Sequence, residues 1–379
     1  MSLLGRPGPP AGGHAVWAWT DWGVAIAGLG LSGVGALLVW SATRHTSGSS
    51  YLLKTLVNLG VGLVCFVLVT RIDHRTLRAW APWVYLVSLA GLMLVLTPVG
   101  STVNGSRSWI QLPGGFSVQP SELVKVALCV GLAMILAERQ DRDQAPGARD
   151  LVLEWVVALV PVGLVLLQPD LGSALVLVAM AFGVVAVAGA PKKLLLTVAA
   201  LGVAGVAAMF TTGVLSPYQR ARLTAFLDPS ADPEGIGYQT RQVRIAIGEG
   251  GWFGQGLFRG SQTQSGAIPF QQTDFVFSVA GEEWGFLGAA GVVVLVVFLI
   301  LRTLLVGSRS DPFGQLVCVG VAVWFALQAF ENIGMNLGIT PVTGLPLPFL
   351  SYGGSSMFAA WLALGLVNNV HLAGTRRRR

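Results

Sequence analysis

The chain has 379 residues, of which 53% are hydrophobic and 11% are charged, with a mean hydropathy of +0.68 and a net charge of +6. Soluble domains carry about 25% charged residues, so this composition excludes a soluble enzyme and predicts an all-α polytopic membrane protein. The sequence has no GxxxxGK[ST] loop, which argues against an ATP-driven mechanism within the chain. Its three cysteines and four histidines lack the spacing of metal ligands, so we expect no dedicated metal site.

Ten apolar runs follow one another along the chain, most of them near the ~20 residues that cross a bilayer. They predict about ten transmembrane helices in a single membrane domain, residues 22–372. We expect residues 1–21 to be a flexible N-terminal segment and residues 373–379 to be a basic tail. The runs lie at 22–42, 53–70, 81–98, 121–137, 151–167, 171–190, 194–212, 275–301, 313–335 and 353–372.

The distribution of Lys and Arg predicts the orientation of these helices. The larger share of the 24 Lys and Arg residues falls on the side of both termini. We therefore expect both termini in the cytoplasm and the chain in the cytoplasmic membrane, with the loops 99–120, 213–274 and 336–352 outside. A loop of about 60 residues without a clear helical pattern is rare unless it is functional. The chemistry is therefore expected on the outer face.

One carboxylate, Asp274, stands where the long outer loop meets an apolar run. A charged group at the mouth of a membrane helix is costly to desolvate and is often functional. Ionised Asp274 is suited to act as a general base toward a sugar hydroxyl. Asp274 can equally cap the helix that follows it, and the two roles are compatible. By contrast, we interpret Asp170 in the QPDLGS turn as a helix cap.

Four further charged residues lie inside apolar runs. Glu122 and Lys125 are three residues apart on one helical face, so we expect either a structural ion pair or a polar wall beside the acid site. Glu282 and Glu283 are adjacent and cannot face the same way on a helix. We expect one of them to face a polar cavity, where it could meet Lys125, and the other to approach the lipid headgroups.

The outer loops contain five arginines, which together suit a diphosphate or another anionic group. Each alone is also typical of a contact with lipid headgroups. The pattern around Val243 predicts a short amphipathic helix at the membrane interface. The segment 341–356 is rich in Pro and Gly, which favours either a rigid turn or irregular backbone that lines a cavity. The five arginines are Arg107, Arg220, Arg222, Arg241 and Arg244.

Several motifs stand out across about residues 100–360. They include VNGSRSWI at 103–110, QPSELVK at 119–125, YQRARLTAFLDP at 218–229, GSQTQ at 260–264, TDFVFSVAGEEWGF at 273–286 and the run that begins at Asn332. Together, and in this order, they resemble the SEDS family, the shape, elongation, division and sporulation proteins. The GSQTQ motif and the run from Asn332 resemble elongation members more than division members.

The resemblance implies a ten-helix peptidoglycan glycosyltransferase that polymerises lipid II on the outer face of the cytoplasmic membrane, in cell elongation, beside a class B penicillin-binding protein. It assigns the family's essential acid to Asp274 and its polar helix residues to Glu122 and Lys125. Phe270 and Gln272 stand where the family commonly has an acid and a His, so neither is expected to be catalytic. The sequence requires no cofactor, although a divalent cation, Mg²⁺ or Mn²⁺, held with the substrate diphosphate is compatible with it.

Two other functions remain open from the residues alone. A lipid II flippase would use similar charged residues to line a path through the full depth of the bundle. A noncatalytic scaffold for partner enzymes would tolerate Asp274→Ala. The polar residues of this sequence concentrate toward the predicted outer half, which favours the enzyme over the flippase.

Overall fold

The computed structural model describes residues 20–103, 106–113, 116–140, 146–211, 217–228 and 235–377. Most of the expected N-terminal segment, residues 1–19, and the last two residues of the basic tail lie outside the described residues. The described residues form thirteen helices. These are α1 (Trp22–Ser47), α2 (Ser50–Arg71), α3 (His74–Leu96), α4 (Pro120–Gln140), α5 (Ala148–Leu166), α6 (Leu171–Val187), α7 (Lys192–Thr211), α8 (Pro217–Leu227), α9 (Ile236–Glu249), α10 (Ser261–Ser265), α11 (Val276–Ser308), α12 (Pro312–Leu337) and α13 (Gly354–Arg377).

Each apolar run of the sequence coincides with one of these helices. Among the described residues, seven helices, α1 to α4 and α11 to α13, are long and apolar enough to cross a membrane. The all-α membrane fold is confirmed, while the count of ten spans stays a prediction for α5, α6 and α7. Helix α13 continues to Arg377, so most of the expected tail is helical.

Aspartates fix where four of the helices begin. Asp21, Asp73, Asp170 and Asp311 each accept a hydrogen bond from a backbone amide in the first turn of α1, α3, α6 and α12. Such an acceptor replaces the missing helical partner of that amide and typically favours the helix by about 1 kcal/mol. The interpretation of Asp170 as a cap is confirmed.

A small antiparallel sheet lies between α3 and α4, in a segment for which the sequence patterns predicted a loop. Its strands are β1 (Ser101–Val103), β2 (Ser106–Leu112) and β3 (Phe116–Val118), and β2 pairs with both neighbours. The Ser106 hydroxyl donates to the Gln168 carbonyl at 2.6 Å. The sheet is thereby fastened to the turn between α5 and α6.

The centre of the bundle is formed by α4 and α12, whose side chains are mostly buried. Helix α12 packs against α4, α6 and α11. Helices α2 and α3 instead expose many apolar side chains, as lipid-facing helices do. Helices α2 and α13 approach closely where Gly62 meets the Trp361 ring, since a Cβ at position 62 would lie 2.7 Å from that ring.

The long loop 213–274 contains three helices, α8, α9 and α10, of which the sequence pattern predicted only the one around Val243. Helix α9 buries Ile236, Val243 and Ala246 on one face, so the predicted segment is an amphipathic helix, while its place at the membrane interface stays a prediction. That face packs against α11 and α12 and shares an apolar cluster with Phe275. Protein therefore covers the apolar side of α9.

Helix α11 is interrupted at Gly285, whose φ of 66° and ψ of −163° are essentially restricted to glycine. The loop 250–256 runs beside this break. Its backbone amides donate to the carbonyls of Glu282 and Glu283 at 2.9 Å, and one of its carbonyls accepts from the amide of Phe286 at 2.8 Å. Irregular backbone in a membrane helix requires such partners, so the loop and the break form one unit.

Candidate functional site

Asp274 lies in the turn before α11, and its backbone is fixed at both ends. Its amide donates to the Phe270 carbonyl at 3.0 Å. Its carbonyl accepts hydrogen bonds from the side-chain amides of Asn332 at 2.9 Å and Asn336 at 3.3 Å. Helix α11 begins at Val276 without a side-chain cap. The alternative in which the Asp274 carboxylate caps this helix is therefore wrong.

Arg222, from α8, supplies positive charge to the Asp274 carboxylate. Both side chains border Gly344, because a Cβ built there would lie 3.1 Å from Nη2 of Arg222 and 3.7 Å from Oδ2 of Asp274. Nη1 of Arg222 donates to the Thr343 carbonyl at 2.8 Å. Burial raises the pKa of the Asp274 carboxyl and outweighs the Thr273 hydrogen bond and the Arg222 charge, which both lower it. A raised pKa makes the ionised carboxylate a stronger proton acceptor.

One face of α12 carries a ladder of polar side chains that sequence reasoning missed. Its members follow at intervals of four residues and so share one helical face. All of them are buried, and their spacing within an apolar helix was the signal that could have found them. The Asn332 amide donates to the Leu345 carbonyl at 2.8 Å as well as to Asp274. The ladder consists of Trp324, Gln328, Asn332 and Asn336.

The buried pair of Glu122 and Lys125 joins this ladder from α4. Nζ of Lys125 donates to Oε1 of Glu122 at 2.6 Å and to Oε1 of Gln328 at 2.9 Å. It also lies 5.1 Å from the centroid of the Trp324 ring, within cation–π distance. Gln328 in turn donates to the Pro346 carbonyl at 2.7 Å. The ion pair therefore supports the backbone that leads to the Asp274 site, and the structural and functional alternatives are compatible.

The segment between α12 and α13, residues 341–353, is non-helical and yet buried. Leu345, Leu347 and Leu350 are at most 3% exposed. Irregular backbone at this depth requires hydrogen-bond partners from the protein, and the ladder amides provide them. The segment forms irregular backbone beside Asp274, and its role as a rigid turn or as the lining of a cavity stays a prediction.

Glu282 and Glu283 have partners on the outer loop and in α1, so the expected contact with Lys125 was wrong. Both side chains are fully buried. Glu282 accepts hydrogen bonds from two backbone amides at the start of α10, at 2.7 and 2.9 Å. Glu283 accepts from the Ser41 hydroxyl at 2.5 Å and from the Gln264 side-chain amide at 3.1 Å. These carboxylates hold the loop 250–265 against α1 and α11.

Two of the five outer arginines have clear individual roles. Arg222 lies beside Asp274, as described above. Arg107 is bound to the end of α3, where its Nη2 and Nε donate to the carbonyls of Thr97 at 2.7 Å and Gly100 at 3.2 Å. We assign Arg107 to anchoring the sheet rather than to binding an anion.

The remaining three arginines, Arg220, Arg241 and Arg244, are exposed on α8 and α9. The Arg244 guanidinium lies against Gly338, the residue that ends α12. A cation is favoured there because the C-terminal end of a helix carries partial negative charge. Arg220 and Arg241 stay candidates for contact with an anionic substrate.

Among the described residues, no three or more His, Cys, Asp or Glu side chains are arranged to hold a metal ion. The residues around Asp274 offer a carboxylate, an arginine and amide groups. This set suits an anionic substrate and a proton transfer.

A family model described as cell cycle protein, FTSW_RODA_SPOVE, matches residues 23–376 of the chain. The probable peptidoglycan glycosyltransferase FtsW of Trichlorobacter lovleyi is 38% identical over 348 residues, which cover 90% of each chain. The stage V sporulation protein E of Bacillus subtilis is 36% identical over 338 residues, covering 88% of this chain and 89% of its own.

Solved structures share the fold over almost the whole chain. One of them is a chain from a solved structure described as the structural coordination of polymerization and crosslinking by a peptidoglycan synthase complex. It has a TM-score of 0.80 and 35% identity, and the match covers 94% of this chain and 99% of that one. The rod shape determining protein RodA of Thermus thermophilus has a TM-score of 0.70 and 34% identity, covering 94% and 98%. Division, sporulation and rod-shape proteins are thus similar to this chain to comparable degrees, so the elongation role stays a prediction.

Proposed function

Since the chain belongs to the SEDS family of FtsW, RodA and SpoVE proteins, we propose that it is a peptidoglycan glycosyltransferase that polymerises lipid II into β-1,4 glycan strands. The observation that carries this function is the match to peptidoglycan glycosyltransferases over 90% of the chain. The surroundings of Asp274 support it locally, because they combine a partly buried acid with an arginine and a fixed backbone.

In the proposed reaction, the 4-hydroxyl of the acceptor sugar attacks the anomeric carbon of the donor. The bond from that carbon to the diphosphate breaks in the same displacement, which converts the α-linkage of the donor into a β-linkage. Asp274 takes the proton of the attacking hydroxyl. A positioned base of this kind contributes about 10²–10⁴-fold to the rate. The departing diphosphate carries the negative charge away.

Arginines are the groups that would stabilise the departing diphosphate. Arg222 is the best placed, since it borders Asp274 and is oriented by the Thr343 carbonyl. Arg220 and Arg241 are exposed on the same outer helices, and guanidinium groups bind phosphate oxygens through two parallel hydrogen bonds. A Mg²⁺ or Mn²⁺ ion, where present, would enter with the diphosphate, and no step of this mechanism depends on it.

We further propose that the protein lies in the cytoplasmic membrane with both termini in the cytoplasm and Asp274 outside. The distribution of Lys and Arg supports this orientation. A class B penicillin-binding protein is the proposed partner, because a similar chain takes part in a complex that coordinates polymerization and crosslinking. The proposed biological role is cell elongation, because the GSQTQ motif at 260–264 and the run that begins at Asn332 resemble elongation members.

The test is polymerisation of fluorescent lipid II by the purified protein with its cognate class B penicillin-binding protein. We expect a ladder of glycan strands that muramidase digests. A second assay tests the flippase alternative. The same protein is placed in liposomes that contain fluorescent lipid II, and a membrane-impermeant quencher reports how fast the label reaches the outer leaflet. Ladders without accelerated quenching support the enzyme, whereas accelerated quenching without ladders would contradict it.

A further inference from the structure

A cavity of about 190 Å³ lies at the end of the bundle opposite to Asp274. Helix α11 begins beside Asp274, and after the break at Gly285 it continues for 23 residues, from Phe286 to Ser308. At 1.5 Å per residue, this part alone is about 35 Å long. The walls of the cavity come from the start of α1 and the ends of α11 and α13. The residues that define its chemistry are Asp21, Arg302, Leu305, Val306, Arg309 and His371.

Asp21 fixes the Arg302 guanidinium in the wall of this cavity. Nε of Arg302 lies 3.1 Å from both carboxylate oxygens, and Nη2 lies 2.8 Å from Oδ2. Burial opposes the charge on Asp21, but Arg302 and the Val24 amide outweigh it and hold the pKa of the carboxyl below its usual value. Nη1 of Arg302 stays outside this pair and, within the described part of the chain, makes no hydrogen bond.

The remaining groups of the cavity make it cationic. Arg309 adds a second guanidinium, and His371 lies with Nδ1 3.6 Å from Oδ2 of Asp21. Asp21 is the acid of the lining, and Arg302 already neutralises it. Two arginines against one acid leave a net positive charge whatever the protonation state of His371.

Ser310, Thr375 and Asp311 are the other polar groups at or next to the cavity. The hydroxyls of Ser310 and Thr375 donate to helix carbonyls at 2.7 and 2.9 Å, so their protons are directed away from a ligand. The neighbouring Asp311 caps α12 and lies 3.3 Å from Nε2 of His74. The two guanidinium groups therefore determine which ligands the cavity favours.

An apolar wall adjoins the cations. Val306 is buried, and Leu305 is 37% exposed. Leu301 and Phe298 continue the exposed apolar face of α11 at intervals of three and four residues. A membrane lipid offers the complementary arrangement, since its anionic phosphate lies at the headgroup level and its acyl chains extend into the bilayer.

We propose that this cavity binds the phosphate group of an anionic membrane lipid, in the leaflet that the proposed orientation places at the cytoplasm. Free inorganic phosphate would satisfy the cations but would leave the apolar wall uncovered. A bound lipid would join the ends of α1, α11 and α13, so occupancy would stabilise the folded protein. This site does not depend on any role of Asp274.

The test measures lipid binding to the purified full chain in detergent by native mass spectrometry, with thermal unfolding in parallel. The probes are dioleoylphosphatidylglycerol, dioleoylphosphatidylcholine and inorganic phosphate. The variants are Arg309→Gln, Arg309→Lys and a matched control, Lys193→Gln. Lys193 is exposed at the start of α7 and does not line the cavity, and the proposed orientation puts it on the same side of the membrane.

We expect one phosphatidylglycerol to bind the wild-type protein more tightly than phosphatidylcholine. Arg309→Gln should weaken that binding about fivefold, the effect of one cation near an anionic headgroup, while Arg309→Lys and Lys193→Gln keep it. Equal binding of phosphatidylglycerol by Arg309→Gln and Lys193→Gln would overturn the proposal. So would inorganic phosphate that stabilises the wild-type protein as much as the lipid does, because the ligand would then be free phosphate.

Discussion

Asn332 offers the sharpest mutational test of how the Asp274 site is built. Its side-chain amide donates to the carbonyls of Asp274 at 2.9 Å and Leu345 at 2.8 Å, and the side chain is fully buried. Asn332→Ala leaves both carbonyls without this donor. Each buried group that loses its partner costs about 1–3 kcal/mol, so we expect a loss of about 2–4 kcal/mol in the free energy of unfolding. Asn336 donates to the same Asp274 carbonyl at 3.3 Å, too long to replace the lost bond fully.

The activity of Asn332→Ala should fall by more than the smaller fraction of folded protein explains. A displacement of about 1 Å at a reacting group can lower the rate about 100-fold, and Asn332 holds the segment that carries the proposed base. The assay is the rate of lipid II polymerisation per folded molecule, with the folded fraction taken from thermal unfolding. We expect Asn332→Ala to lower kcat by about 10–100-fold.

A matched control is provided by Asn369, at the opposite end of the bundle. Its amide also donates to two carbonyls, those of Val69 at 3.1 Å and Ile72 at 2.6 Å, and it is 3% exposed. Asn369→Ala should cost similar stability while leaving kcat per folded molecule unchanged. If both variants lose stability alike and both keep the wild-type kcat, the reasoning that Asn332 positions the base is refuted.

Two further predictions concern charge and backbone. Arg222→Gln should move the acid limb of the rate–pH profile to higher pH, because the Arg222 charge lowers the pKa of Asp274 and activity is lost as pH falls through that pKa. Arg222→Lys keeps the positive charge and should shift the acid limb less. If Arg222→Gln leaves the acid limb in place, the proposed effect of the Arg222 charge on Asp274 is contradicted. Gly285→Ala should lower stability by about 1–3 kcal/mol, since its φ is 66° and a Cβ there would lie 2.3 Å from the Gly254 amide nitrogen. The control is Gly291→Ala, in the same helix, because a Cβ at position 291 has no neighbour within 4 Å. This variant should be neutral or stabilising in thermal unfolding. Equal melting temperatures for the two variants would show that the break at Gly285 is not required.

Hydropathy predicted the positions of the long helices because lipid selects for apolar side chains locally, residue by residue. The cap at Asp170 was predictable for the same reason, since a cap depends on its own first turn. The strand Ser106–Leu112 was not, because it is stabilised by pairing with partners on both sides rather than by a pattern of its own.

The acid of the site, Asp274, could be predicted from the sequence, but the groups around it could not. A carboxylate before an apolar helix suits a cap and a base equally, and the fold excludes the cap because α11 begins after Phe275 without a side-chain cap. The partners of Glu282 and Glu283 depend on how the outer loop folds back onto α11. Sequence spacing shows which face of a helix a residue occupies, but not which distant segment covers that face.

The most direct test of the central claim compares Asp274→Asn with Asp170→Asn in lipid II polymerisation. Asp170 is also an acid at a helix start on the predicted outer side, but its carboxylate serves as a cap. At equal folded fractions, we predict that Asp274→Asn loses about 10²–10⁴-fold of the polymerisation rate, while Asp170→Asn stays within a few fold of the wild type. Wild-type rates from folded Asp274→Asn would contradict the assignment of Asp274 as the base.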